Sequence, residues 1–423
     1  MNYEQVICIL IFLAVYAAIA IFHRFKAIIA WTGVALMVIM SVMPILKVPH
    51  YINWNILGIF WGSLVIAELF VHSRVPAYLA ETIIDHSKSV VWAIIWLSAF
   101  GGIISAFVEN IATVLIIAPI AFEVSRKLKT SPVPFILGLV LSSNLQGTAT
   151  LVGDPPSMIL ASAARMTFND FFFFQGKPSL FFAVEFSAVI SLIVLFFLFR
   201  RQREKIKIIK VEKITSLVPS FFLALLIIGL AIGSSMRGFM DYLGGTICVV
   251  LGLIALSWSF FSQKIKTFNI IKDTDWETFF FLAAIFVLVG TLTETRLTVL
   301  IAELIGNITG GSLLTTYIML VLFSVIISAF VDNVPYFAAM VSVIMLLSQN
   351  YNYPIHILLF GTIIGTTIGG NITPIGAAAN IVGVGLLKKN GYNISFLDFA
   401  RVGMPFTIAA VTFGAFFIWI FWS

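Results

Sequence analysis

The stretch "SAFVEN" at residues 105–110 returns as "SAFVDN" at 328–333. Each copy sits in the middle of a largely apolar run, at 90–124 and at 313–347. A carboxylate inside such a run is costly to insert into a bilayer and marks a functional position by default. The flanks of the first run carry Lys88 on one side and Arg126, Lys127 and Lys129 on the other. Basic flanks at both ends place both on the cytoplasmic side, so the run enters and leaves on the same face. It reads as a re-entrant helical hairpin with its tip at Glu109–Asn110. The second run reads the same way, with its tip at Asp332–Asn333 and flanks free of Lys and Arg.

The rest of the chain supports a membrane setting. Of 423 residues, 60% are hydrophobic and 10% charged, against about 25% charged in soluble domains. Runs such as 6–22, 27–46 and 180–199 are long enough to cross a hydrocarbon core of about 30 Å. They lack the short alternating segments of a β-barrel. The fold class is therefore an all-α polytopic membrane protein. The first run has no basic leader or small-residue cleavage site and reads as a span. Cys8 and Cys248 lie inside apolar spans and offer neither a disulfide framework nor a metal-ligand spacing.

Seven of the 25 Lys and Arg residues crowd "RRQREKIKIIKVEK" at 200–213. The positive-inside rule puts this loop in the cytoplasm. Counting spans outward then puts 20 basic residues inside and 5 outside, with both termini outside. The basic surplus is thus a topology signal and implies no nucleic acid partner. The expected location is a prokaryotic plasma membrane.

The basic loop separates two matching halves. Trp54 aligns with Trp276, SAFVEN with SAFVDN, and "NLQGTATLVGDPPS" (144–157) with "NITPIGAAANIVG" (371–383), which sets Asn144 near Asn371. Repeat one spans 1–199 and repeat two 217–423, joined by a linker at 200–216. Each reads as about five transmembrane helices plus one hairpin (90–124; 313–347) and one broken helix (133–164; 355–388). An odd number of crossings per half predicts inverted topology, an arrangement associated with secondary transporters.

The breaks have chemical causes. Gly147 and Gly153 loosen the first, while Pro155 and Pro156 remove donors and restrict Asp154. Gly369, Gly370, Pro374 and Gly376 do the same in the second. Irregular backbone at membrane depth requires burial in protein or a cavity. Two tips and two breaks can therefore meet near the midplane. The candidate ion- or substrate-binding residues are Glu109, Asn110, Thr113, Asn144, Gly147, Thr148, Thr150, Asp154, Asp332, Asn333, Asn371, Thr373 and Asn380. Oxygen-rich sets of this kind suit hard cations, and Glu109, Asn110, Asn144, Asp332, Asn333 and Asn371 are the Na⁺ candidates. No Lys or Arg is evident at the site. Glu68 and Glu185 also fall within spans, without acidic repeat partners. Glu68 reads as a carboxyl hydrogen-bonded to a neighbouring helix, with a proton relay as the other role.

At these motifs the chain resembles the ion transporter superfamily of arsenite permeases, NhaD-type sodium/proton antiporters, citrate and dicarboxylate carriers, and the melanosomal P protein. "NLQGTATLVGDPPS" is similar to that group's N-x-x-G-T-A-T-x-x-G-D-P-P-N signature, with Ser157 in place of the final Asn. "SAFVDNVP" resembles the tip of the NhaD and P-protein branch, and "SAFVENIATVLIIAP" its partner, with Glu109 where Asp is usual. The dicarboxylate branch carries Ser-Asn-Thr at its tips, unlike Glu109–Asn110–Ile111 and Asp332–Asn333–Val334. The arsenite branch tends towards Asn-Asp-Gly at the first tip. The resemblance implies a homodimer and elevator-type alternating access.

Two functions compete. The first is a sodium/proton antiporter in which Na⁺ and H⁺ contend for Glu109 and Asp332. The second is a cation- or proton-coupled carrier of a small anion such as citrate, a dicarboxylate or arsenite. Neither is an enzyme or needs a cofactor beyond Na⁺ and/or H⁺. The partners are the bilayer and a small ion, with an accessory ATPase only under the arsenite reading, since no G-x-x-x-x-G-K-[ST] motif occurs.

Overall fold

The computed structural model describes residues 3–202, 213–235 and 240–423. Most of the basic loop at 200–213, and Arg237, lie outside the described residues.

Among the described residues, the first half contributes ten α-helices, beginning with α1 (Tyr3–Ile21), α2 (Lys26–Ile39), short α3 (Val48–Tyr51), α4 (Trp54–His72) and α5 (Val75–Asp85). Then follow α6 (Val90–Ser105), α7 (Asn110–Leu128), α8 (Val133–Gln146), α9 (Pro155–Ala164) and α10 (Leu180–Phe199). The second half repeats the order: α11 (Val218–Gly233), α12 (Met240–Ser262), α13 (Thr267–Asp273), α14 (Trp276–Glu294) and α15 (Leu297–Thr309). It ends with α16 (Leu313–Ser328), α17 (Asn333–Tyr351), α18 (Ile355–Gly369), α19 (Ala378–Lys389) and α20 (Phe396–Trp422). A two-residue β-ribbon, Phe173–Phe174 with Lys177–Pro178, precedes α10. Among the described residues, seven helices are long and apolar enough to cross a membrane, or eight if the bent pair α15–α16 forms one span.

Matching residues start and stop matching helices. Asn53 and Asp275 cap α4 and α14, accepting from Ile56 N (3.0 Å) and Thr278 N (2.9 Å). Arg74 and Arg296, both left-handed (φ 62° and 58°), turn the chain into α5 and α15. Lys129 and Asn352 (φ 53° and 54°) end α7 and α17. The second hairpin limbs therefore run to 128 and 351, past the expected ends at 124 and 347.

The halves interlock. α4 packs on α12 as α14 packs on α2, and α7 packs on α19 as α17 packs on α9. Hairpin limbs α6 and α16 lean on α8 and α18, the first parts of the broken helices, more than on α7 and α17. Equivalent helices α4 and α14 run antiparallel: Tyr51, just before α4, hydrogen-bonds Glu294 at the end of α14. His72, at the end of α4, pairs with Asp273 just before α14 at 3.1 Å. The interior is filled by apolar side chains such as Phe60, Phe135, Phe281, Phe337, Phe360 and Phe406, while Leu10, Leu46, Phe221, Phe261 and Ile326 are exposed. Outward-facing large apolar residues suit a lipid surround, where tails are as apolar as the core.

Candidate functional site

Each hairpin tip is an acidic N-cap followed by Asn. Glu109 Oε2 accepts from Ala112 N at 3.0 Å, and Asp332 Oδ1 from Val334 N at 3.0 Å. Asn110 Oδ1 accepts from Ser105 Oγ (2.6 Å), as Asn333 Oδ1 accepts from Ser328 Oγ (2.5 Å). Those serines open the SAFV motifs, so the signal for them was in the sequence although they were not singled out. Ser143 of α8 extends the first chain, donating to Ser105 Oγ at 2.8 Å.

Each break closes against its own tip. Thr150 Oγ donates to Ala106 O as Thr373 Oγ donates to Ala329 O. Gly147 lies so close to Asn110 that a Cβ would stand 2.5 Å from its Oδ1, and at Gly370 a Cβ would stand 3.0 Å from Asn333 Oδ1. Asp154 caps α9, accepting from Ser157 N (3.0 Å) and Ser157 Oγ (2.6 Å). Asn380 donates to Gly370 O and Thr373 O, both at 2.9 Å, while its buried Oδ1 has no partner among the described residues. Ser157 Oγ reaches Gly147 O at 3.5 Å, so Ser157 and Asn380 brace equivalent glycines.

The two breaks then cross each other. Asn144 Nδ2 donates to Asn371 Oδ1 (3.0 Å) and Thr367 O (2.9 Å), and Asn371 Nδ2 donates to Leu141 O (2.9 Å). Thr148 Oγ donates to Thr367 Oγ at 2.7 Å. These contacts correct the register read from sequence. Setting the hairpin limbs in register, Asn110 on Asn333, also sets the breaks in register, Gly147 on Gly370. In that register Asn144 is equivalent to Thr367 and Thr148 to Asn371. The pairs 144–371 and 148–367 thus exchange under a local two-fold relation. All four side chains are buried, so truncating either Asn strands buried polar groups at a cost of about 1–3 kcal/mol. Asn144→Ala and Asn371→Ala should each lower the melting temperature in detergent, and the double variant should lose less than the sum. Strictly additive losses would mean the crossing couples nothing.

Three expected members behave differently. Thr113 is buried within the first hairpin, donating to Val108 O at 3.4 Å, and serves the tip's own fold. The tip carboxylates have no hydrogen bond to each other among the described residues. Glu109 instead shares a small cavity with Asp154, walled by Ser63 and Leu64 of α4 and by Gly153 and Met158. Asp332 lies within electrostatic reach of Tyr16 on α1, whose buried hydroxyl has no hydrogen-bond partner among the described residues.

The expectation of no cation near the site also needs correcting. Lys26, only 5% exposed, sits 5.0 Å from the Phe281 ring centroid and within electrostatic reach of Glu109. Read as a loop charge, it is buried by contacts with α14 that local pattern does not reveal. Glu68 is also buried, but its carboxyl makes no hydrogen bond among the described residues, contrary to expectation. Glu185 lies near Gln146, beside the first break.

A cleft of about 840 Å³ opens between α4 and α12 on one side and α9 on the other. His50, Asn53, Ser162 and Arg165 line its mouth, and Met158 separates it from the Glu109–Asp154 cavity. Asn53 Nδ2 bridges it to Ser162 Oγ at 2.8 Å.

A family model described as "Citrate transporter" matches residues 14–365 and 308–423. A 46 kDa membrane protein of Mycobacterium leprae is 29% identical over 446 residues, covering 98% of each chain. An uncharacterized transporter of Synechocystis sp. is 27% identical over 93% of this chain and 92% of its own. The P protein of Sus scrofa is 25% identical over 90% of this chain, which spans 54% of that protein. The crystal structure of the YdaH transporter of Alcanivorax borkumensis superposes with a TM-score of 0.59 at 12% identity, over 88% of this chain and 87% of its own. That likeness establishes a shared fold.

Proposed function

The chain belongs to the citrate transporter family and is an integral membrane transporter; on that premise we propose that it exchanges a monovalent cation, Na⁺, for protons. One observation carries the choice of a cation. Three of the four half-helix N-termini that could hold an anion are already taken by the protein's own carboxylates. Glu109 caps α7, Asp332 caps α17 and Asp154 caps α9. An anion approaching these ends meets negative charge, whereas a cation meets carboxylates, amide oxygens and backbone carbonyls, the donors hard cations prefer.

Exchange follows from competition. A protonated Glu109 or Asp332 offers little to Na⁺, and a bound Na⁺ disfavours the proton. Loading one therefore releases the other. The antiparallel run of α4 and α14 and the crossing of the two breaks support an inverted repeat, with the basic loop cytoplasmic and both termini outside. The cleft between α4 and α9 supports movement of the hairpins and breaks against a frame, as an elevator requires. The homodimer rests on the family resemblance.

The second reading, a carrier for citrate or another small anion, is favoured by the family's description and by α19. That helix follows Ala377, which provides no side-chain cap, so no carboxylate stands at its N-terminus. Purified protein in liposomes with a trapped pH dye separates the two. A Na⁺ or Li⁺ gradient should collapse an imposed pH gradient, and labelled citrate, succinate and arsenite should not accumulate. Anion uptake without cation-driven proton movement would replace the first reading with the second.

A further inference from the structure

Glu68 occupies a position on α4 that the site described above does not use. Ser63 and Leu64 of the same helix wall the cavity holding Glu109 and Asp154. Glu68 follows Leu64 by four positions, hence lies on the same face about 6 Å further along. Its neighbours Ala67 and Phe70 pack on Val108 and Ala112, which flank Glu109. The residue is 8% exposed and lies within electrostatic reach of Glu109, Asp273 and Asp275. One turn beyond it, His72 pairs with Asp273 at the solvent-accessible end of the helix. Glu109, Glu68 and the His72–Asp273 pair thus step along one side of α4 towards its C-terminal end.

The second half lacks this middle step. With Trp54 set on Trp276, the starts of α4 and α14, Gly290 becomes the equivalent of Glu68, Glu294 that of His72, and Tyr51 that of Asp273. The end pair survives as Tyr51 with Glu294, joined by Lys47 at 2.8 Å. Gly290, however, leaves a space that the Tyr51 ring fills: a Cβ there would stand 2.5 to 2.8 Å from three ring atoms. The Tyr51 hydroxyl donates to Glu294, so the ring sets no carboxylate where Glu68 stands in the first half.

We propose that Glu68 is a one-sided proton relay, linking Glu109 to water at the His72–Asp273 end of α4, while Asp332 has no such route past Tyr51. The inference rests on the proton-exchange reading above. As a cation binds, the Glu109 carboxyl loses its proton and the Glu68 carboxylate takes it. Glu68 then releases it to water or buffer at the His72–Asp273 end, which returns both groups to carboxylates. The other charged groups facing this path are Lys26 at the start of α2, Asp275 before α14 and Asp154 before α9.

The test compares two fluxes of the full chain in oriented vesicles: Na⁺-driven proton movement, and exchange of radioactive for unlabelled sodium. Glu68→Gln should slow the first about tenfold and leave the second nearly unchanged. The pH dependence should shift only on the His72–Asp273 side, and Glu68→Asp should restore most of the proton flux. An unchanged proton flux in Glu68→Gln overturns the relay, and so does an equal fall in both fluxes, which would indicate a structural role. If the unsubstituted protein exchanges labelled sodium but moves no protons with it, the antiport reading falls first and takes the relay with it. That failure appears before any substitution is made.

Discussion

Glu109→Gln should reduce Na⁺-driven proton exchange about a hundredfold or more while the protein folds and extracts normally. The carboxamide keeps an oxygen that can accept from Ala112 N, so the cap on α7 and the tip geometry persist. What disappears is the group for which Na⁺ and H⁺ compete. Asp332→Asn preserves its cap on Val334 in the same way and should be as severe, because the second tip has no other acid among the side chains described around it. The assay is dye-reported proton flux in proteoliposomes, with melting temperature in detergent as the control. Undiminished flux in either variant would remove that carboxylate from the transport chemistry.

The second large effect is expected at a residue with no functional group. Gly147→Ala puts a methyl group 2.5 Å from Asn110 Oδ1 and 2.9 Å from its Nδ2. The methyl and the carboxamide cannot share that space, so the amide must move and give up its bond from Ser105. Overpacking of this kind costs about 1–3 kcal/mol. Gly370→Ala repeats the experiment in the other half, where the new Cβ would stand 2.7 Å from Gly376 O and 3.0 Å from Asn333 Oδ1. Both variants should lose most transport and melt at lower temperature. Adding Asn110→Ala to Gly147→Ala should recover stability and leave transport lost. Full activity in the single variants would show that the tip amides need not be held where they are.

Much of this site could be read from residue order because its signals are local. A carboxylate in an apolar run, Gly and Pro clustered in a long helix, and a motif returning in the second half each mark their feature without tertiary information. Helices end and restart at both SAFV motifs and at both Gly-rich clusters. Helix ends were less legible: Arg126 and Lys127 looked like a flank, yet they continue α7 until Lys129 takes a left-handed turn. The match of Asn144 with Asn371 followed residue type, whereas the register of the helix breaks makes Thr367 the equivalent of Asn144 and Asn371 that of Thr148. Lys26, Tyr16 and Tyr51 could not be read at all. Their burial and neighbours depend on helices far away in sequence, such as the one carrying Phe281.

Protons and a cation are proposed to contend for the same two carboxylates. Calorimetric titration of the purified protein with Na⁺, in buffers of different ionisation enthalpy and across pH, tests this directly. Saturable Na⁺ binding should be accompanied by proton release, with apparent affinity weakening as the pH falls. Na⁺ binding that neither depends on pH nor releases protons, or citrate binding without any response to Na⁺, would contradict it.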